Sequence, residues 1–410
     1  MSIADLPQQQ LGKGVEWLQG IRIIDLTTSI AGPFASMLLA DMGADVIKVE
    51  RAGTGDDSRH WVPPELDGES LWFLSVNRNK RSIELELDSD AGREVLQKLV
   101  AQADVVMLNT LPKTQKKLGI DYESLASVNP ALVYVCISGF GLEGHRANWA
   151  CYDLIAEGYS GIMDLTGEFD GAPQKVGAPA ADIIAAYDAA NATLAALLDS
   201  AHSGRGHKID VSLVTSMTRF LAPRIVSYLG SDEVPRRSGG KDSVIAIYQS
   251  FETADEPLTL GLGNDNIWKR FWNLVGQPEK GEDPSTSSNS KRREVRAEIV
   301  KDIQHVLSQK PRAYWLDLFR DGGIPAGPIN RLDEVVKDPH MLDWGMFYAV
   351  PQGNTLIPQV GSAVKLDGSN HTIRRLPPRL GQHTNEILAT LGYEQDSTPG
   401  IQSQKCPEQN

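Results

Sequence analysis

One segment of the chain combines a carboxylate with the small neighbours that a bulky electrophile needs. Residues 172–184 read APQKVGAPAADII, so Gly177, Pro179 and two alanines precede Asp182, where a long alanine-rich run begins. Two compatible readings apply to Asp182. As a helix N-cap, its carboxylate accepts a bond from an N–H of the first turn. As a nucleophile, it profits from the same place. The positive end of the helix dipole favours the ionised form, and small neighbours let a thioester approach a carboxylate able to attack it.

Cations mark two further positions. Arg51 directly follows Glu50, the last residue of the apolar run ADVIKVE. A cation at the carboxyl edge of a parallel sheet sits where ligands bind in open α/β folds, and an arginine there suits a phosphate or an adenine face. Residues 77–84, NRNKRSIE, gather Arg78, Lys80 and Arg81 within four positions. This cluster reads either as a patch for a polyanionic ligand or as a solvated basic turn. The turn Thr27-Thr-Ser-Ile-Ala-Gly-Pro33 has neither G-x-G-x-x-G nor a P-loop, so Glu50 is not read as a ribose-binding acid. No G-x-S-x-G elbow and no H-E-x-x-H pair occurs, and the cysteines at 136, 151 and 406 have no ligand spacing. A metal site is therefore not expected.

These residues need elements to hold them. Strands are expected at 21–26, 44–50, 104–108, 131–137 and 207–214, with helices from Pro33 to Gly43, at 89–102 and at 183–201. Alternation of this kind builds an α/β fold. The expected large domain is a Rossmann-like, doubly wound parallel sheet made from residues 1–220 and 335–410. A smaller α+β domain is expected at 225–330, with a polar surface loop at 278–293. A last helix, EILATLG, is expected near 386–392 with Thr384 as its cap, before a polar, disordered tail from Glu394.

Composition narrows the function classes. The chain has 410 residues, with 40 basic against 53 acidic side chains and a net charge of −13. That balance disfavours nucleic-acid binding. No apolar run approaches the ~20 residues needed to cross a bilayer, so no membrane association is expected. The start, MSIADLPQQQLGKGVEW, lacks a basic segment followed by an apolar core. With three unpaired-looking cysteines, this points to the cytoplasm.

Several long stretches together carry a resemblance. GIRIIDLTTSIAGPFASMLLADMGADVIKVER, NRNKRSIELEL, ADVVMLN, YDLIAEGYSGIMDLTGEFDGAPQKVGAPAADI, SGRGHKIDVSL, GIPAGPINRLDEVVKDPH and PPRLGQHTNEIL resemble, in order, the class III coenzyme A transferases. That family includes formyl-CoA transferase, carnitine CoA-transferase and α-methylacyl-CoA racemase. The resemblance implies a large Rossmann-like domain joined by two linkers to a small one, in an interlocked, ring-like homodimer.

It also implies roles. Asp182 falls on the nucleophilic aspartate and Asp153 on a second acid of the pocket. Arg51, Asn109 and Lys117 fall on positions that contact the adenosine and phosphate parts of CoA, and Ala31 on the loop near the thioester. Arg78 and Lys80 join this set as candidate CoA contacts from the basic cluster. Thr28, Ser29 and Ile30 replace the His-Val-Gln of formyl-CoA transferase, and a mobile glycine run is reduced to Ser238-Gly239-Gly240. The implied activity is CoA transfer from an acyl-CoA to a carboxylic acid, with CoA as substrate and no resident cofactor. The hydroxyls of the Thr27–Ser29 loop suggest a dicarboxylate, with succinyl-CoA as donor. The alternative is an α-methylacyl-CoA racemase, which needs an acid and a base about the α-carbon. Racemases of this family resemble a Gly-His-Asp signature where this chain has Cys151-Tyr152-Asp153, and Tyr152 there favours transfer.

Overall fold

Six short strands form one parallel sheet in the computed structural model, which describes residues 1–368 and 371–393. They are β1 (Arg22–Asp25), β2 (Asp45–Glu50), β3 (Lys80–Glu84), β4 (Val105–Leu108), β5 (Val133–Ser138) and β6 (His207–Ser212). Every residue of β4 and β5 is buried. A parallel sheet covered on both faces requires such continuous apolar runs. The order is β3-β2-β1-β4-β5-β6, the doubly wound arrangement, and its direction reverses between β1 and β4.

The helices that matter for the site are α1 (Ala31–Asp41), α2 (Asp90–Val100), α3 (Asp153–Ser160), α4 (Ala180–Ser203) and α5 (Leu213–Phe220). β6 is shorter than expected because Ser212 caps α5, its hydroxyl accepting from the Thr215 N–H at 3.3 Å. α4 ends at Gly204, whose positive φ of 70° suits a residue without Cβ. By length and composition α4 would pass as a membrane span, which corrects the reading that no such run exists. Its alanine stripe (Ala181, Ala185, Ala186, Ala189, Ala190) is buried inside the domain, where α4 packs on α1, α5 and β5.

The described residues form two compact units, one of 1–160, 176–222, 336–368 and 371–393, the other of 161–175 and 223–335. The segment 161–175 belongs to the second unit, although the sequence reading put it in the large domain. The second unit has an antiparallel sheet of Tyr248–Phe251, Leu258–Gly261 and Ala326–Pro328. Helices Asp265–Leu274, Arg296–Leu307 and Arg312–Asp321 contribute Trp268, Phe271, Trp272, Ile303, Trp315 and Phe319 to its core. Two expectations of irregular or capped structure change. Residues 278–293 are not a plain loop: short helical turns start at Pro278, Pro284 and Asn289, the last two capped by Asp283 and Ser288. The last helix (Thr384–Thr390) is not capped by Thr384, whose hydroxyl instead accepts from the Glu84 N–H at 3.2 Å. The polar tail from Glu394, including Cys406, lies outside the described residues.

Candidate active site

The turn after β1 lies at the point where the strand order reverses, and it is held from three sides. Thr28 and Asn109, which follows β4, exchange two bonds: the Thr28 N–H donates to Asn109 Oδ1 at 3.1 Å, and Asn109 Nδ2 donates to the Thr28 carbonyl at 2.8 Å. Ser29 has a left-handed backbone (φ 70°), uncommon for a residue with a Cβ. Its N–H donates to Asp56 Oδ1 at 2.9 Å. Asp56 is paired with Lys48 at 2.7 Å, both side chains fully buried, and Lys48 Nζ also donates to the Thr27 carbonyl at 2.8 Å. Gly32 completes the turn, since a Cβ there would meet the Thr27 side chain at 2.3 Å.

Beneath this turn, Asp25 accepts from Lys80 Nζ at 3.0 Å and Ser36 Oγ at 2.6 Å. Burial alone would raise its pKa, but Lys80, Lys48 and these hydrogen bonds hold it well below the carboxylate range. Burial pushes Lys80 down to about 8 against the pull of Asp25. Buried pairs of this kind add little net stability; here their product is a fixed backbone at Thr27–Ser29.

Two candidate CoA contacts are corrected by these facts. Lys80 is wholly buried, with its three donors spent on Asp25, Asn77 and the Pro33 carbonyl. Arg78 is buried against Asp41 at 2.7 Å and the Val360 carbonyl at 2.6 Å. Arg81 is likewise paired with Asp45 at 2.6 Å. The cluster is internal wiring between sheet and C-terminal segment, neither a ligand patch nor a solvated turn. Ile30 and Ala31 are also buried, at the start of α1.

Arg51 and Lys117 are placed differently. The Arg51 side chain is 60% exposed and pairs with Asp57; Lys117 is 72% exposed and pairs with Asp88 at 3.3 Å. Exposed pairs are worth ~0–1 kcal/mol, so a phosphate can displace either acid. Gly239 and Gly240 belong to the second unit. A Cβ on Gly239 would meet Glu168 at 2.5 Å, and Gly239 has φ 65°.

Asp182 is the third residue of α4, not its cap. The N-cap is Pro179, which offers no side-chain acceptor. The cap comes from another helix: Asp153, first residue of α3, accepts from the Ala181 N–H at 2.8 Å and the Asp182 N–H at 3.3 Å. Among the described residues none donates a hydrogen bond to the Asp182 carboxylate. Burial, and then the Asp153 charge, push Asp182 up to about 7. The helix dipole was expected to keep it ionised, but these two effects prevail. The result is an unusually basic carboxylate whose ionised form is suited to nucleophilic attack.

Neighbours shape its surroundings. Cys151 has its thiol pushed up to about 11 by burial and by Asp182 and Asp153. Gly139, just after β5, lies so close that a Cβ would meet Cys151 Cβ at 2.1 Å. Tyr152 is 68% exposed at the entrance to α3. Lys48, Asp56 and Gly139 were missed from the sequence. Only Asp56 left a signal there: an Asp-x-Ser pair, whose Oδ1 takes both the Ser58 N–H and hydroxyl at 2.8 Å.

Residues 18–384 match CoA-transferase family III. The chain is 37% identical over 382 residues to a succinyl-CoA:glutarate CoA-transferase of Mus musculus, covering 92% of this chain and 87% of that one. It is 37% identical over 390 residues to a succinate–glutarate CoA-transferase of Agrobacterium fabrum, covering 93% and 98%. Among solved structures, a CAIB/BAIF family protein from Brucella suis superposes with a TM-score of 0.81 at 37% identity, covering 91% of this chain and 99% of that chain.

Proposed function

The chain belongs to CoA-transferase family III, and from that premise we propose that it moves CoA between dicarboxylic acids, with succinyl-CoA and a five-carbon diacid as a working pair. The observation that carries this reading is Asp182 in the first turn of α4, its carboxylate made more basic by burial and Asp153, with the helix start capped by Asp153. The relatives that act on succinyl-CoA and glutarate support the substrate class. So do the part-exposed Thr28 and Ser29, whose backbone Asn109 and Asp56 hold; the Thr27 hydroxyl, counted with them in the sequence, is instead buried and donates to Asp25.

The chemistry follows from the carboxylate. Asp182 attacks the thioester carbonyl of the donor; the C–S bond breaks and CoA leaves as thiolate, giving a mixed anhydride. The thiolate attacks the aspartyl carbonyl of that anhydride, releasing the donor acid and leaving an aspartyl-CoA thioester. The acceptor carboxylate then attacks this thioester, expels the thiolate and forms a second anhydride. Attack of the thiolate on the acceptor's carbonyl yields the new acyl-CoA and restores Asp182. Thioester energy is conserved throughout, and Arg51 and Lys117 are exposed cations available to CoA phosphates. Mass spectrometry of succinyl-CoA incubated with a panel of mono- and dicarboxylates should show new CoA esters of the diacids. If instead an acyl-CoA gains deuterium at its α-carbon with no acceptor present, the enzyme is a racemase.

The interlocked homodimer and a cytoplasmic location are part of the same proposal. Leu154 and Ile155 on α3, Leu198 on α4 and Phe220 on α5 are apolar and largely exposed in the single chain, and a second copy would cover them. Cys136 and Cys151 are free thiols, as a reducing compartment requires. Threaded chains cannot part without unfolding. Light scattering should therefore give a mass near twice 44.8 kDa at every practical dilution. An active monomer at nanomolar concentration would exclude the interlock.

A further inference from the structure

The loop between β5 and α3 carries a cation that the reaction scheme leaves unused. Arg146 has no carboxylate within 4 Å among the described residues; its one side-chain hydrogen bond is from Nε to His145 Nε2 at 3.2 Å. What holds it is aromatic. Its guanidinium carbon lies 5.0 Å from the Tyr159 ring centroid, 5.4 Å from Trp149 and 6.0 Å from Phe140. Phe140 in turn meets Trp149 and Tyr159 edge to face, at 5.8 and 5.0 Å. Rings that approach a guanidinium hold its orientation while leaving N–H edges for a carboxylate in the bidentate geometry arginine favours.

Position gives this cation a task. Phe140 follows the carboxyl end of β5 next to Gly139, which abuts Cys151. Tyr159 lies on α3, the helix whose first residue, Asp153, caps the nucleophile's helix. A diacid bound here keeps one charged carboxylate while the other reacts, and it does so beside Asp153 and Asp182. Taking that charge from water without a partner is costly. Of the other cations weighed for this site, Lys48, Lys80 and Arg78 are buried against Asp56, Asp25 and Asp41, and the exposed Arg51 is the one assigned to a CoA phosphate.

We propose that Arg146, held by Phe140, Trp149 and Tyr159, binds the non-reacting carboxylate of the diacid and so sets the enzyme's preference for dicarboxylates. This rests on the CoA-transferase reading above. The test uses the whole chain and two substrate pairs, succinyl-CoA with glutarate and pentanoyl-CoA with butyrate, for wild type, Arg146→Gln and Arg146→Lys. Arg146→Gln should raise KM for glutarate and for succinyl-CoA by about 10–100-fold, the range of a lost charge-assisted bond. Its kcat should stay within about threefold, and the monoacid pair should be unchanged or improved. Arg146→Lys should recover part of the loss. An equal fall in both pairs, or a fall in kcat alone, would make Arg146 a scaffold of the loop and overturn the proposal, as would unchanged KM values. If wild type transfers CoA to neither acceptor, it is the transferase reading that fails.

Discussion

Asp182→Asn should transfer CoA at least about 10³-fold more slowly than wild type, and should be more thermostable at pH 8. The first half follows from chemistry: an amide cannot form the anhydride or return CoA as a thioester. The second half follows from the raised pKa. The carboxylate is pushed up to about 7 by burial and by Asp153. Since the folded value exceeds the unfolded one, the native state binds the proton more tightly. Folding stability therefore falls as pH rises from the unfolded value near 4 through about 7, and above that the native state carries the full cost of a disfavoured charge. The asparagine carries no such charge, so its melting temperature should exceed wild type at pH 8 and converge with it at pH 4. The same titration sets the rate. In wild type kcat/KM should rise through about pH 7 and then level, as the ionised nucleophile becomes the majority form. Retention of more than a few per cent of wild-type turnover in Asp182→Asn would remove Asp182 from the nucleophile's role, and a flat profile from pH 5.5 to 8.5 would contradict its raised pKa.

What was legible in the sequence divides by the range of the interaction involved. The strand and helix alternation follows from local apolar runs, so five of the six parallel strands and α4 were visible almost to their ends, whereas β3 (KRSIE) was read as a basic cluster because its charges mask the strand. Asp182 was visible because its small neighbours and the alanine-rich helix are contiguous with it. The partners of charged groups were not visible. Arg78, Lys80 and Arg81 look alike on paper to a surface patch, yet they meet Asp41, Asp25 and Asp45 from strands and helices some 35 to 55 positions earlier. The register of β3 against β2 sets Arg81 beside Asp45, while Asp25 comes from β1 and Asp41 from the end of α1. Asp153 was visible as an acid of the pocket through family resemblance, but its capping of a helix 28 positions onward was not, because a cap supplied from another element leaves no pattern at the helix start. The same holds for Thr384, a reasonable cap by position, whose hydroxyl is taken by strand β3.

Asp153 acts on the nucleophile in two ways that substitution can separate, and Asp153→Ala and Asp153→Asn should therefore fail differently. The alanine removes the side-chain acceptor, sole among the described residues, for the Ala181 and Asp182 N–H groups, which Pro179 cannot replace. Losing such a cap costs about 0.5–2 kcal/mol of local stability, concentrated in the turn that aims Asp182. Misplacing a reacting group by about 1 Å costs on the order of 10² in rate, so Asp153→Ala should lower kcat by about that factor. Asparagine keeps an acceptor oxygen and loses only the charge. That charge is the second cause of Asp182's raised pKa, after burial, so its removal should move the acid limb of kcat/KM to lower pH while kcat at pH 8 stays within about tenfold of wild type. The direction of the limb is the decisive reading. A shift to higher pH, or none, would mean that burial alone sets the basicity of Asp182. Equal losses of kcat in the two variants would mean that Asp153 serves through its charge and not through the helix start it caps.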